Sequence, residues 1–214
     1  MQIQHNPAIS VITPTFNRRD SLARAIRSVQ RQTVDDYEHI IVDDCSTDRS
    51  AEFVRGLDDP RIVLVPCDRW QGANTARNIG IAAARNNLVT FLDSDDEYLA
   101  DRLQKTISFF QDQPQAQLLL SSFRTLKRGR LRDSMNPSKV LTGKRLEQVL
   151  MANRIFIAGS SITVRREVLE TAGSFHPAIR RMQDREMLLR LSRHCGATLS
   201  HEVDWIKYPS LDSI

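Results

Sequence analysis

The tetrapeptide Asp93-Ser94-Asp95-Asp96 directly follows the apolar run Leu88-Val89-Thr90-Phe91-Leu92. A run that is short, apolar and partly β-branched reads as a buried strand, so its end carries three carboxylates. Like charges this close are costly unless a proton or a cation relieves them. A divalent metal with oxygen ligands is the simplest relief. At the carboxyl end of a strand, where open α/β sheets hold their ligands, such a cluster points to a metal that holds a phosphate. The competing reading is an Asp-rich polar turn that caps the next helix.

The elements around the cluster alternate. Ile9–Thr13 reads as a strand, Pro14-Thr15-Phe16-Asn17 as a loop, and Leu22, Ala25, Ile26 and Val29 fall at helical spacing. Glu38–Val42 reads as a second strand that ends in Asp43-Asp44, with Ser46 or Thr47 as a cap for the helix carrying Ala51, Val54 and Leu57. Ile62–Val65 reads as a third strand, Gly72 opens a helix with Ala76, Ile79, Ala83 and Ala84, and Leu88–Leu92 is the fourth strand. A helix with Leu103, Ile107 and Phe110 follows and stops before Pro114. Strands alternating with helices imply βαβ units, a mostly parallel sheet and one ligand-binding rim. Thr13, Pro14 and Phe16, then Asp43 and Asp44, then Asp93, Asp95 and Asp96 should lie along that rim.

The second half is less regular. Leu118–Phe123 reads as a strand and the basic segment Arg124–Lys139 as a loop or hairpin. Thr142 starts a helix with Leu146, Val149 and Leu150. Ser160–Arg165 reads as a strand and Glu167–Ala172 as a short helix ended by Gly173. Asp184 opens a helix with Met187, Leu188 and Leu191. No repeat or linker divides the chain, so a single domain over 1–214 is expected, with halves at about 8–115 and 116–208.

Composition excludes several classes. The chain has 214 residues, 41% hydrophobic and 26% charged, which suits a globular domain with a real core. No apolar stretch is long enough to span a bilayer. Met1–Pro7 lacks a basic region followed by an apolar one, so it does not read as a secretory signal. Cys45, Cys67 and Cys195 show no paired spacing, which suggests reduced thiols in a cytoplasm. The net charge of +4 favours anionic partners. Arg124, Lys127, Arg128, Arg130 and Arg132 form one basic run; Arg180, Arg181, Arg185, Arg190 and Arg193 form another. Solvated surface is the plain explanation of such runs. Neither run interleaves aromatics, so no nucleic-acid partner is expected.

Four pieces in the first half, Val11–Arg18, Ile41–Asp48, Gly72–Gly80 and Phe91–Asp96, together with Gln183–Leu191, resemble in order and spacing the inverting family 2 glycosyltransferases. The resemblance runs from about residue 8 to 208. It implies the GT-A fold: an α/β, Rossmann-like, mostly parallel sheet flanked by helices, with a less regular acceptor-side second half. It implies a nucleoside diphosphate sugar donor, a UDP-sugar above all, and a hydroxyl acceptor. A saccharide or lipid-linked saccharide in surface polysaccharide or lipopolysaccharide synthesis fits the family. The expected location is cytoplasmic, peripheral at the inner face of the membrane, with the Arg124–Arg132 loop resting on anionic lipid.

The resemblance also distributes roles. Thr13, Pro14, Phe16, Asp44, Arg77 and Asp93 would bind the donor, with Phe16 offering a face to the base and Asp44 accepting its imide N–H. Core packing is the alternative for Phe16 and a plain ion pair for Arg77. Asp43 would support its loop, and Gly72 would approach the ribose or diphosphate at a helix N-terminus. Asp93 and Asp95 form the DxD pair that would hold manganese or magnesium, with Asp96 as a supporting group or helix cap. Asp184 would be the general base that takes the acceptor's proton; its alternative is a helix N-cap. Asn153, Gly159, Ser160 and Ser161 match the acceptor-side loop, or form a small-residue turn. Two departures stand out: Gln183 replaces the Glu usual before the base, and Cys45 stands where glycine is frequent. His176, His194 and His201 have no ligand spacing.

Three other readings compete from the residues. A response-regulator receiver also has paired acids after a strand, but it is shorter, and the expected Thr and Lys partners are not in order here. A haloacid-dehalogenase-like phosphatase also carries Asp-x-Asp after a strand, but near the first one. A catalytically degenerate nucleotide-sugar-binding scaffold would keep the fold without the reaction.

Overall fold

The computed structural model describes residues 8–209. The reading placed on Met1–Pro7 lies outside them. The first half runs β1 (Ile9–Thr15), α1 (Arg19–Gln30), β2 (Tyr37–Asp43), α2 (Ser50–Arg55), β3 (Ile62–Pro66), α3 (Ala73–Ala83) and β4 (Leu88–Phe91). β1 lies between β2 and β4, with β3 outside β2, and all four are parallel. Thr15 pairs with Asp43, and Asp43 with Pro66. Their carboxyl ends therefore share one rim, as the alternating pattern requires.

The second half adds β5 (Glu97–Tyr98), α4 (Arg102–Asp112), β6 (Leu118–Lys127), β7 (Arg130–Ser134), β8 (Lys139–Leu141), α5 (Gly143–Met151), β9 (Ile162–Arg165), α6 (Arg166–Ala172), α7 (Gln183–Leu191) and β10 (Ala197–Lys207). The main path of the sheet is β3-β2-β1-β4-β9-β6-β10-β5. β9 is antiparallel to β4 and β6, whereas β10 is parallel to β6. β6 and β7 form an antiparallel hairpin, which resolves the loop-or-hairpin reading of the basic segment.

Strand alternation divides the core between the two faces. Ile12, Val89 and Phe91 pack with Ala76 of α3, Leu146 of α5 and Met187 of α7. Ile9 and Val11 pack on the other face with Ala25 and Val29 of α1 and Leu103 and Ile107 of α4. Each fully buried aliphatic side chain of this kind contributes about 1.5–3 kcal/mol relative to exposure. At Gly80, α3 approaches β1 so closely that a Cβ would lie 2.4 Å from Ile12 Cγ2. No helix among the described residues is long and apolar enough to cross a membrane.

Two local readings change. Neither Ser46 nor Thr47 caps α2: the Ser46 hydroxyl accepts from the Asn17 N–H and the Thr47 N–H donates to Asn17 Oδ1. Asp48 receives the Ser50 N–H instead. Ser160 and Ser161 belong to a 3-10 turn before β9 rather than to the strand. By contrast, Thr142 does cap α5, accepting the Arg145 N–H.

Candidate active site

A cavity of about 920 Å³ opens at the rim, a size suited to a cofactor-sized ligand. Its walls include Pro14, Phe16, Asp44, Arg77, Asp93 and Asp95. The loop after β1 and the loop before α3 form one end; the loop after β4 and the β10 terminus form the other.

The first end is aromatic. Phe16 is 41% exposed, so core packing does not explain it. Its ring lies 6.3 Å from that of Trp70, at 55°. Trp70 also lines the cavity and is 55% exposed. Sequence reasoning missed it, although a tryptophan flanked by Arg69 and Gln71 is poor core material. Beside this pair, Asp44 accepts the backbone N–H groups of Gln71 and Gly72 at 2.8 and 2.7 Å. Gly72, at φ 90°, supplies a turn that an L side chain would strain. Asp44 is thus fixed to the Trp70 loop, and each carboxylate oxygen keeps one lone pair. Asp43 supports the same rim by accepting the Ser46 N–H at 3.3 Å.

The second end is ionic. Arg77 Nη2 lies 2.6 Å from Asp93 Oδ1, and its guanidinium rests over the Phe175 ring. Burial would raise the Asp93 carboxyl, but Arg77, with Lys207 and Arg18, outweighs it and holds the group below the usual carboxylate range. Asp95 pairs with Arg18 Nη1 at 2.7 Å. Asp96 is buried; burial first, then repulsion from Asp93, pushes its carboxyl well above the ordinary value. The Ser160 hydroxyl donates to Asp96 Oδ2 at 2.6 Å and accepts the Asp93 N–H at 3.0 Å. The Tyr208 N–H donates to Asp96 Oδ1 at 3.3 Å. Asp96 therefore braces the acidic turn and caps no helix.

Asp184 lies in the first turn of α7, whose cap position is Met182, so the N-cap alternative does not hold. Burial raises its carboxyl, Arg77 opposes this, and Asp93 adds to it; the net shift is upward. The Gly159 N–H is hydrogen-bonded to it. Its Oδ1 is buried and has no hydrogen-bond partner. Gln183, next to it, lines the cavity, while Asp184 itself stands just behind that wall.

Several expected residues are not brought to the cavity. Thr13 is fully buried, and its hydroxyl pairs with His39 Nε2 at 2.9 Å. β1 runs past it to Thr15, which puts the rim two residues further on. His39 is a neutral core group, its pKa lowered to about 3 by burial. Ser160 and Ser161 are fully buried, so their hydroxyls do not face a sugar. Gly159 passes against the acidic turn: a Cβ there would lie 3.1 Å from Asp93 Oδ1. Asn153 is exposed and accepts from Arg185 Nη2 at 2.5 Å. His176, His194 and His201 are exposed and scattered. Lys207 and Tyr208, from the far end of the chain, join the cavity wall.

No group of three or more His, Cys, Asp or Glu side chains stands ready to hold a metal among the described residues. Magnesium and manganese sites that serve phosphates need only one or two protein carboxylates, with substrate oxygens and water completing the shell. Asp95, on the cavity wall, with the free oxygen of Asp93 meets that lesser demand.

The chain matches the Glycosyl transferase family 2 model over residues 10–173, and it belongs to that family. This sets aside the phosphatase alternative. Over 100 residues it is 44% identical to the GalNAc(5)-diNAcBac-PP-undecaprenol beta-1,3-glucosyltransferase of Campylobacter jejuni, covering 45% of this chain and 32% of that one. The chain aligns with 29–43% of the length of three further curated relatives. S. aureus TarS 1–349 in complex with UDP-GlcNAc superposes with a TM-score of 0.81 at 18% identity, over 94% of this chain and 58% of that one. The mannosyltransferase PcManGT of Pyrobaculum calidifontis, in complex with GDP-Man and Mn2+, gives 0.71 at 19% identity, over 98% and 59%. The GT-A fold implied by the sequence is therefore the fold observed.

Proposed function

We propose that the chain transfers a sugar, with inversion, from a nucleoside diphosphate sugar to a hydroxyl acceptor. The observation that carries this reading is the two-ended cavity. An aromatic pair beside Asp44 suits a nucleobase, and the Asp93–Asp95 turn, rimmed by Arg18, Arg77 and Lys207, suits a diphosphate. A UDP-sugar is the favoured donor, as in the TarS complex.

Phe16 gives the base a face, and Asp44 accepts its imide N–H. Asp95, with Asp93, would hold manganese or magnesium, in place of the present Asp95–Arg18 pair. The PcManGT complex supports such a metal. A metal held there would supply positive charge against the diphosphate leaving group. Arg77 fixes Asp93 and stays cationic beside the donor. The acceptor oxygen bonds to the anomeric carbon on the face opposite the diphosphate, whose sugar–oxygen bond breaks. Asp184 Oδ1 takes the acceptor's proton. Its missing partner and raised pKa fit a base, and its neighbour Gln183 lines the cavity.

The acceptor is a saccharide or lipid-linked saccharide, as the name of the Campylobacter relative indicates for that enzyme. With a lipid-linked acceptor, the chain would work at the cytoplasmic face of a membrane. Asp184→Asn tests the reading: it should bind UDP like the parent and lose transfer by at least about 100-fold, the low end for a general base. Transfer at the parent rate would overturn it.

A further inference from the structure

Five large apolar side chains stand exposed on three neighbouring segments of the acceptor half: Leu131, Met135, Met151, Phe156 and Met182. The segments are tied edge to edge. Asn136 accepts the Phe156 N–H at 2.8 Å and donates to the Phe156 carbonyl at 2.9 Å. Arg185 reaches from α7 to the Leu150 carbonyl and to Asn153. The β6–β7 hairpin, the loop 151–156 and the entry to α7 thus form one continuous border. Single exposed apolar residues are normal, but Met135, Met151, Phe156 and Met182 gather on joined segments, as at a contact surface.

The same border is cationic. Arg128, Arg130, Arg132, Arg154, Arg180 and Arg181 are all exposed, and none forms an ion pair among the described residues. Arg124 differs, because Asp133 pairs with it at 2.8 Å. The sequence-based expectation placed the whole contact on Arg124–Arg132. The hairpin tip is the exposed, unpaired part of that run, and two segments join it: the α7 entry, which carries Arg180 and Arg181 of the second basic run, and the loop 151–156, which no charge count singled out.

We infer that this face docks on an anionic lipid bilayer, with the Met and Phe side chains entering the interface and the arginines meeting the headgroups. Charge selects the partner: a neutral protein surface would leave six guanidinium groups uncompensated, whereas anionic headgroups satisfy them. Apolar insertion joined to basic residues is the mode of interfacial binding. The position also serves the reaction. Lys127 at the hairpin and Gln183 at the α7 entry both line the cavity. A lipid-linked acceptor held in that bilayer would meet the cavity at its Asp184 end. This inference rests on the proposed transfer for its purpose but not for its test.

The test is co-sedimentation of the chain with phosphatidylglycerol–phosphatidylcholine vesicles and with pure phosphatidylcholine vesicles, at low and high salt. Binding only to the anionic vesicles, reduced at least tenfold by high salt, is expected. Arg128→Gln/Arg130→Gln/Arg132→Gln should weaken it, and so should Met151→Glu/Phe156→Glu, each at least tenfold. Both variants change exposed residues only, and unchanged thermal unfolding and UDP binding would confirm an intact fold and cavity. Equal binding to both vesicle types, no binding to either, or unchanged binding by both variants would overturn the inference. So would a concentration-dependent dimer abolished by Met151→Glu/Phe156→Glu, which would assign the face to a second copy. Loss of UDP binding by the parent chain would instead strike the proposed transfer and leave the lipid result standing.

Discussion

Arg77 Nη2 lies 2.6 Å from Asp93 Oδ1, and the same guanidinium also acts on Asp184 and Asp95. One buried cation thus connects the acidic turn after β4 to Asp184, the proposed base on α7. Arg77 is only 3% exposed, so its removal leaves Asp93 charged and without its counterion. Breaking a buried pair costs about 3–5 kcal/mol. Asp93 keeps some solvent contact, so Arg77→Met should lower stability by about 3 kcal/mol in urea titration, and Arg77→Lys by less. A loss below about 1 kcal/mol would show that Arg77 does not hold the turn.

The raised carboxyl of Asp184 has a signed consequence for stability. Burial makes the folded chain bind this proton more tightly than the unfolded chain does. Its contribution is complete below the unfolded value of about 3.9, and is lost as pH rises through the higher folded value. Asp184→Asn lacks that loss. The stability of the variant relative to the parent should therefore climb between about pH 4 and the folded pKa, then level off. Asp96 and Asp204 are also raised, but they are common to both proteins and cancel. Urea midpoints at a series of pH values check this, and a relative stability that falls with pH would contradict it. Transfer should show the matching acid limb, displaced above that of an ordinary carboxylate.

Trp70 offers an optical readout of the base end. The chain has two tryptophans; Trp205 is fully buried and stacked on Phe123, whereas Trp70 is exposed against Phe16. UDP should quench the exposed component of the emission and leave Trp205 unchanged. Stacking of a base on an aromatic ring is worth about 1–3 kcal/mol. Trp70→Ala should therefore weaken UDP binding at least about fivefold. Binding at parent strength with no quenching would remove Trp70 from the site.

The first half was legible because its strands are short apolar runs whose ends meet at one rim. Asp43, Asp44, Asp93, Asp95 and Asp96 could be placed from that rule alone. β10 was not legible: in Ala197–Lys207, His201, Glu202 and Asp204 interrupt the apolar pattern, and register shifts at Val203 break the strand's period. It is nevertheless central, pairing with β5, β6 and β8. Missing it hid Lys207 and Tyr208, which reach the acidic turn from more than a hundred residues away. The β5 and β8 strands are too short for any periodicity to register. Thr13 was misplaced because β1 continues through Pro14, a residue that usually ends such a reading. Cys45 adopts φ 69°, a left-handed turn that costs an ordinary side chain about 1–3 kcal/mol and so fits the glycine that the resemblance leads one to expect there.

The most direct test is calorimetric titration of UDP, GDP, dTDP and CDP into the chain, with manganese and with chelator. The proposed site requires metal-dependent binding of one nucleotide, UDP above the others, and its loss in Asp95→Ala. Binding to none of the four by well-folded protein, or binding indifferent to both metal and Asp95, would contradict it.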